Sequence, residues 1–392
     1  MNDVLERPIR ELKDFEELEQ DLLKGKGPVA ASGCMDSQKV HLMYEAGKGK
    51  KWKLAVTYDD TRAKEIYEDF RYFQSDVYLY PARDLLFFNA DIHGNLLTKQ
   101  RMTVFRHLIE GEGGVVVTTF DGLVDHLLPL SWIKDQVLTV QGGQILDVAE
   151  WKERLTQMGY ERMAQVDGSG QFSIRGGIID IFPLTEELPV RIELWDDEVD
   201  SIRLFDLESQ RSVEQVDFIT IYPATEMPLL KKQKEVGIEA IKMEGERYQK
   251  ELRAGGKIEE SARIRSQTEE LLEGLKEGWK IHGLDGYVQY FCEDSVSFLQ
   301  YFNLEDTLIF LDEPERLKEK GETVETEFRE SMIHRLENGY LLPGQTGLLY
   351  GARETMAALQ TSHTLCLSGL EQRLGGFQIK NRYNFQVKNL NS

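Results

Sequence analysis

Between Gly168 and Tyr222 apolar and polar side chains alternate in one short run after another, a period-two pattern that suits little besides an antiparallel sheet. The runs through Phe172 and Ile174 and through Ile179 and Ile181 read as two strands, with Gly176-Gly177 supplying a bend between them that a Cβ would resist. Val190–Trp195 and Val199–Phe205 read as a second pair, turned by Asp196-Asp197-Glu198. Arg175, Arg191 and Arg203 stand among these strands beside Phe172 and Phe182, the mixture of arginine and aromatic side chains found on protein-binding faces. Taken singly, each arginine also fits a solvated strand position.

The rest of the chain divides around that module. Its 392 residues, 41% of them apolar, suffice for two or three domains with sizeable cores. Forty-seven basic against 68 acidic residues give a net charge of −21, which repels phosphate backbones and argues against nucleic acid as the first partner. Cys34, Cys292 and Cys366 are scattered with no C-x-x-C pairing, so neither a disulfide framework nor a metal site is expected, and a reducing compartment fits. Residues 1–25 lack the apolar core of a signal sequence and no long apolar run occurs, so a cytoplasmic chain with no membrane partner is expected.

Ahead of the module, Gly27–Ser32 reads as a short buried strand leading into Gly33-Cys-Met-Asp-Ser-Gln-Lys-Val40. Set against the phosphate loop G-x-x-x-x-G-K-[ST], this octet keeps Gly33 and Lys39, but Gln38 replaces the second glycine and Val40 the magnesium-binding hydroxyl. A valine cannot ligate Mg²⁺ and a glutamine cannot freely take glycine-only dihedrals, so no phosphoryl transfer and no cofactor are expected. Helices at 36–47, 61–70, 97–109 and 120–127 then alternate with strands at 52–56, 77–80 and 114–118, the rhythm of a parallel α/β sheet. The segment Tyr80–Phe88 sets Phe87 and Phe88 near Pro81, either as a partner contact or tucked beneath the loop.

The rhythm stops at Pro129, with a strand at 137–140 and a helix at 145–159 before the β module. Residues 230–278 are helical by period and broken at Gly255-Gly256; Ile238, Ile241, Ile264, Leu271, Leu272 and Leu275 form an apolar side, and the charge predicts a solvated connector. Thr307-Leu-Ile-Phe-Leu-Asp-Glu313 has the pattern of a buried strand whose aspartate holds a nucleotide's magnesium. With Gln38 and Val40 at the other end of that site and Pro314 directly after, Asp312 and Glu313 read as structural remnants. Strands carrying these two motifs share one sheet. The expected fold is therefore α/β: a degenerate P-loop NTPase-like parallel sheet over residues 1–128 and 229–361, split by an inserted α+β domain, antiparallel in its strands, over residues 129–228. Residues 362–392, with strands at 364–367, 377–381 and 384–388, are expected to open a following domain that is cut short.

Gly170-Gln-Phe-Ser-Ile-Arg-Gly-Gly-Ile-Ile-Asp-Ile-Phe-Pro183, Arg191-Ile-Glu-Leu-Trp-Asp-Asp-Glu-Val-Asp-Ser-Ile-Arg203 and Phe205-Asp206 resemble the domain that the excinuclease protein UvrB shares with the bacterial transcription-repair coupling factors. Tyr80-Pro-Ala-Arg-Asp84, Ala90-Asp-Ile92, Ser209-Gln-Arg211, Leu311-Asp-Glu-Pro314 and the octet at Gly33 look like the coupling factors rather than UvrB. UvrB would carry an intact phosphate loop and a long tyrosine-rich hairpin in place of the short segment Tyr80–Thr98. The resemblance covers residues 1 to about 360 and implies the amino-terminal, UvrB-like module of that family.

It further implies that the module lacks ATPase activity and that its insert recruits the excinuclease protein UvrA to a stalled RNA polymerase. RNA polymerase and DNA would be reached only through domains further along. Arg162, Arg175 and Phe182 match the family's recruitment face, with Phe172 and Arg191 as neighbouring candidates, while Ser173 stands where UvrB has the first arginine of Arg-x-Arg. Carboxy-terminal domains of the same protein are implied to cover this face, so a chain ending at Ser392 is expected to leave it open. The alternative, from the enzyme class, is an ATP-dependent DNA repair helicase-like protein working through Lys39 and Asp312.

Overall fold

The computed structural model describes residues 8–83, 95–279 and 281–385, so the readings placed on Asp84 to Ile92 lie outside the described residues. The chain opens with α1 (Phe15–Leu23), β1 (Val29–Ser32), α2 (Ser37–Gly47), β2 (Trp52–Thr57), α3 (Asp60–Arg71), β3 (Val77–Tyr80), α4 (Asn95–Glu110) and β4 (Gly114–Thr119). Its strands β1, β2 and β4 are short apolar runs buried along nearly their whole length, as strands covered by helices on both faces must be. Asp59 caps α3, its side chain accepting from the Arg62 N–H at 2.7 Å. The helix expected over 120–127 is only a 3-10 turn at Phe120–Leu123. Past it the backbone extends, because Asp125 pairs with Leu349 in an isolated bridge and the Tyr350 N–H donates to the Val124 carbonyl at 2.8 Å.

After α5 (Leu130–Lys134) come β5 (Leu138–Gln141), α6 (Val148–Gln157), β6 (Glu161–Arg162), β7 (Gln171–Arg175), β8 (Ile178–Phe182), β9 (Val190–Trp195), β10 (Glu198–Phe205), β11 (Ser212–Val216) and β12 (Phe218–Ile221). Strands β6 to β11 lie side by side in sequence order, antiparallel except for β6 with β7, and β5 pairs with β12 separately. Gly176-Gly177 is the two-residue turn between β7 and β8, and Gly176 takes a φ of +61°. One face of this sheet, with Phe172, Ile179, Ile181, Val190, Ile192 and Ile202, forms a core with Trp151 and Leu155 of α6.

The chain returns through α7 (Lys231–Ala254), α8 (Ile258–Glu277), α9 (Val288–Phe291), β13 (Thr307–Asp312), α10 (Pro314–Glu337), α11 (Ala352–Ala358), β14 (Thr364–Ser368) and β15 (Arg382–Asn384). The pair α7 and α8 breaks at Gly255-Gly256 but is more than a solvated connector. Ile241, Tyr248, Leu252, Ile264 and Leu275 form a core with Phe291, Phe328 and Met332, and the charged side chains keep to the outer faces.

Seven parallel strands assemble in the order β15-β1-β14-β13-β2-β4-β3, so the first and last parts of the chain share one sheet. Alternate residues feed two cores: Leu54, Val56, Val116, Ile309 and Leu311 on one face, and Val29, Val117, Leu308, Phe310 and Leu365 on the other. The strands expected to open a new domain over 362–392 instead flank β1, in register Val29↔Leu365 and Ala30↔Arg382. Leu365, Cys366 and Leu367 are buried between β1 and β13, so this segment completes an existing core and needs none of its own. The strand expected at 377–381 begins only at Arg382.

Helix α4 joins sheet to insert along its length. Asn95 Nδ2 donates to the Ser169 carbonyl at 2.8 Å, Arg106 to Glu186 at 2.8 Å, and the Tyr222 hydroxyl to Glu110 at 2.8 Å. Among the described residues no helix is long and apolar enough to cross a membrane.

Candidate functional site

Two sites were legible in the sequence, and the structure brings the residues of the first together. At the end of β1, Gly33 takes a φ of +93° and packs so closely on the residues after β15 that a Cβ would stand 2.0 Å from the Phe385 carbonyl oxygen. The Phe385 N–H in turn donates to the Ser32 carbonyl at 2.8 Å. Gln38 folds its side-chain oxygen back onto the Met35 N–H at 3.1 Å, and Val40 is wholly buried in the core. Lys39 is buried as well, its Nζ donating to Asp312 Oδ1 at 2.7 Å and Glu313 Oε1 at 2.5 Å.

The other oxygen of Asp312 accepts from Thr57 Oγ1 at 3.0 Å and Arg62 Nε at 3.1 Å, while Glu313 accepts from the Gly369 N–H at 2.8 Å and Gln372 Nε2 at 3.2 Å. Burial opposes the charge on Arg62, but Asp312 and Glu65 together outweigh burial and raise its pKa above the ordinary arginine value. Gly33, Gln38, Lys39, Val40, Asp312 and Glu313 thus come together as the motifs require, with two cations set against two anions. The lysine that would meet a phosphate already holds two carboxylates, and the aspartate that would hold magnesium is surrounded by ammonium, guanidinium and hydroxyl donors. Such a cluster ties α2, β2, α3 and β13 together and presents no uncompensated charge to a nucleotide.

The second site is the outer face of the insert. Cross-strand register sets Ser173, Asp180, Arg191 and Arg203 in one row and Arg175, Ile178, Glu193 and Ser201 in the next, with Phe182 opposite Gln171. Asp180 is 1% exposed and organises the face: its Oδ2 accepts from Arg175 at 2.8 Å, and Arg191 grips it with Nε and Nη2 at 2.7 and 2.9 Å. Arg191 also donates to Gln210 at 3.2 Å and stacks over Phe205 at 4.6 Å, so its Nε and Nη2 donors are occupied internally. Arg175, with a side chain 46% exposed, is the arginine presented outward.

Phe172 is wholly buried against α6 and is unavailable to a partner; the alternation that marked the strand already set it on the same side as Ile174. Arg162 is exposed but sits on the edge strand β6 in register with Phe172, apart from the Arg175 row. Sequence reasoning missed Asp180, Thr57 and Arg62. Asp180 had a signal, since a carboxylate inside an apolar strand two places from Phe182 must fall on the same face and needs a cation there. Thr57 and Arg62 carried none, because only the sheet order brings β2 and α3 to Asp312.

One group of metal-ligand type occurs among the described residues, His107, Glu110 and Glu112, with ligand atoms within 4.8 Å of one another. His107 Nδ1 is already bonded to Glu112 at 2.5 Å, and Glu110 accepts from Arg106 and Tyr222.

Fold and site define a class: a parallel α/β sheet of nucleotide-binding type, closed at its would-be nucleotide site by its own ion pairs and split by an antiparallel β insert. Residues 138–227, from β5 to just past β12, match the family model of the UvrB interaction domain. Over 337 residues, 85% of its length, the chain is 33% identical to the transcription-repair-coupling factor of Bacillus subtilis (strain 168), of which it covers 28%. It is 31% identical over 372 residues to that of a Staphylococcus epidermidis strain, covering 93% of this chain and 30% of the relative. It is 30% identical over 363 residues to that of Staphylococcus haemolyticus, covering 91% and 30% respectively. The chain therefore spans less than a third of the length of these curated relatives. Over the segment it shares with them, the chain is similar to the transcription-repair-coupling factors.

Proposed function

We propose that this chain is a non-catalytic recruitment module of transcription-coupled nucleotide excision repair, in which the β insert binds the excinuclease protein UvrA and brings it to a stalled RNA polymerase. The observation that carries this reading is Arg175, half exposed on the outer face of a region matching the UvrB interaction domain and held from beneath by the buried Asp180. A guanidinium fixed on one side keeps its remaining donors aimed outward and loses little side-chain entropy on meeting a carboxylate. Phe182 shares the face and Arg162 borders it at the edge of the sheet. RNA polymerase and DNA are left to parts of the longer relatives outside the shared segment, and carboxy-terminal domains of such a protein would cover the face at rest.

A pull-down with purified UvrA tests the assignment. Wild type is retained and Arg175→Ala is lost with its melting temperature nearly unchanged; undiminished capture of Arg175→Ala sinks it. The rival, an ATP-dependent helicase-like protein using Lys39 and Asp312, is disfavoured by the pairing of those two residues with each other. Calorimetric titration with MgATP decides between them, since saturable heat would favour the rival.

A further inference from the structure

The outer face of the insert continues past Arg175 to the β9–β10 hairpin, where Trp195 is 81% exposed. Trp195 pairs with Glu198 across the hairpin, and Glu198 pairs in turn with Ile145, itself 68% exposed. Residues directly opposite on neighbouring strands share a side, so Trp195, Glu198 and Ile145 lie in one row. Along β9, Trp195 follows Arg191 and Glu193 at the two-residue period and falls beside the Gly176-Gly177 turn, one row beyond that of Arg175, Ile178 and Glu193. An exposed tryptophan and an exposed isoleucine thus lie in the row adjoining the one that carries the outward arginine. Single exposed apolar side chains need no explanation, but two in one row beside a presented arginine have the make-up of an interface centre.

The hairpin is also held rigid. Leu194 donates its N–H to the Gly177 carbonyl at 2.7 Å, Leu146 to the Asp197 carbonyl at 2.8 Å and Val199 to the Gln144 carbonyl at 2.8 Å. A tryptophan on a fixed backbone offers a large apolar area with only two side-chain torsions to immobilise, so little is lost on binding.

Charge around it is directional: the row on one side holds Arg175, with Glu193 there taken up by Ser201 and Arg203, and the exposed Asp196 and Asp197 of the turn lie on the other. We infer that Trp195, backed by Ile145, is a second anchor of the recruitment face. It would enter an apolar hollow on a protein partner that is flanked by a carboxylate on the Arg175 side and by basic side chains on the hairpin side. Such a gradient fixes the orientation of docking, because the reversed pose would set like charges together. The inference rests on the reading that this face binds UvrA, and adds to it the residue that anchors the apolar part of the contact.

The test is a titration of purified UvrA into wild type, Trp195→Ala, Trp195→Phe and Arg175→Ala, with binding followed by calorimetry and by tryptophan emission. Trp195→Ala is expected to weaken binding at least about thirtyfold, the loss that marks a hot-spot residue, and Trp195→Phe to weaken it less. Both variants should melt with wild type, since the side chain is solvated. The emission of wild type should move to the blue on binding, and that part of the shift should vanish in Trp195→Phe. If Arg175→Ala weakens binding while Trp195→Ala binds as wild type, the anchor is overturned and the recruitment reading stands. If neither substitution weakens binding, or wild type does not bind, the recruitment reading itself falls and the anchor with it.

Discussion

Arg101 donates from Nε to both carboxylate oxygens of Glu226, at 2.9 and 3.0 Å, across the boundary between the parallel sheet and the β insert. Arg101 is fully buried and also reaches Asp125 at 3.2 Å, while Arg83 binds Glu226 at 2.5 Å and Asp285 at 3.0 Å. One carboxylate thereby ties the first α/β segment, the exit of the insert and the helical lobe. Removing one partner of a buried ion pair costs about 3 to 5 kcal/mol, so Glu226→Ala should lose about that much unfolding free energy in denaturant titrations.

The same carboxylate predicts an acid response. Burial alone would raise the pKa of Glu226, but Arg101 and Arg83 outweigh it and hold the group below its ordinary value of 4.5. A carboxylate depressed in the folded state contributes stability that is whole above its unfolded pKa and is lost as pH falls through the folded one. Between about pH 5 and about pH 3 the denaturation midpoint of wild type should therefore fall further than that of Glu226→Gln, which has no such proton to bind.

The closed nucleotide site makes a prediction of opposite kind. Gln38→Gly with Val40→Thr would restore the phosphate-loop pattern yet leave Lys39 on Asp312 and Glu313, and Phe385 against Gly33. Calorimetry with MgATP should register no binding by the double variant. Lys39→Ala should cost about 3 kcal/mol, the low end for breaking a buried ion pair, because Thr57 and Arg62 still satisfy Asp312 and Gly369 and Gln372 still satisfy Glu313. Saturable MgATP binding by the double variant would show that the missing residues, and not the ion pairs, silence the site.

What the sequence disclosed and what it withheld follow from the range of the forces involved. Alternation is local, so β7 to β10 and the turns between them could be read directly, as could the split of the sheet between Gly33–Val40 and Thr307–Glu313. Sheet order is not local: nothing in Thr364–Ser368 says that it slots between β1 and β13, which is why residues read as a new domain complete the old one. Arg191 and Arg175 look alike in sequence, and only the register that sets both on Asp180 separates the buried grip from the exposed one. The charge density of α7 and α8 likewise hid an apolar stripe that needs α9 and α10 to become a core.

That difference between the two arginines is measurable. Arg191 has a side chain 17% exposed, and its hydrogen bonds to Asp180 raise its pKa; without it a buried carboxylate keeps only the half-exposed Arg175. Arg191→Ala should lower the stability of the insert by about 3 kcal/mol, within the range for breaking a buried pair. Arg175→Ala, which removes one partly solvated contact, should cost at most about 1 kcal/mol. Thermal melts that rank the two variants in the reverse order would assign the structural role to Arg175.

The sign of a single substitution tests whether the helix pair is a packed lobe. In a solvated connector, Gly237→Ala in the interior of α7 would stabilise by about 0.5 to 1 kcal/mol, since alanine loses less backbone entropy than glycine on entering a helix. Here a Cβ at Gly237 would stand 2.1 Å from Phe291 Cδ1, and Phe291 is buried among Ile241, Val288 and Leu341, with little room to withdraw. Overpacking of that kind costs about 1 to 3 kcal/mol and outweighs the helical gain. Gly255 is the control: it takes an ordinary φ of −78° and a Cβ there would meet nothing closer than 3.5 Å, so Gly255→Ala should be neutral or mildly stabilising. Melting temperatures that fall for Gly237→Ala and hold for Gly255→Ala identify α7 and α9 as one packed unit, whereas a rise for both would return the pair to the role of a connector.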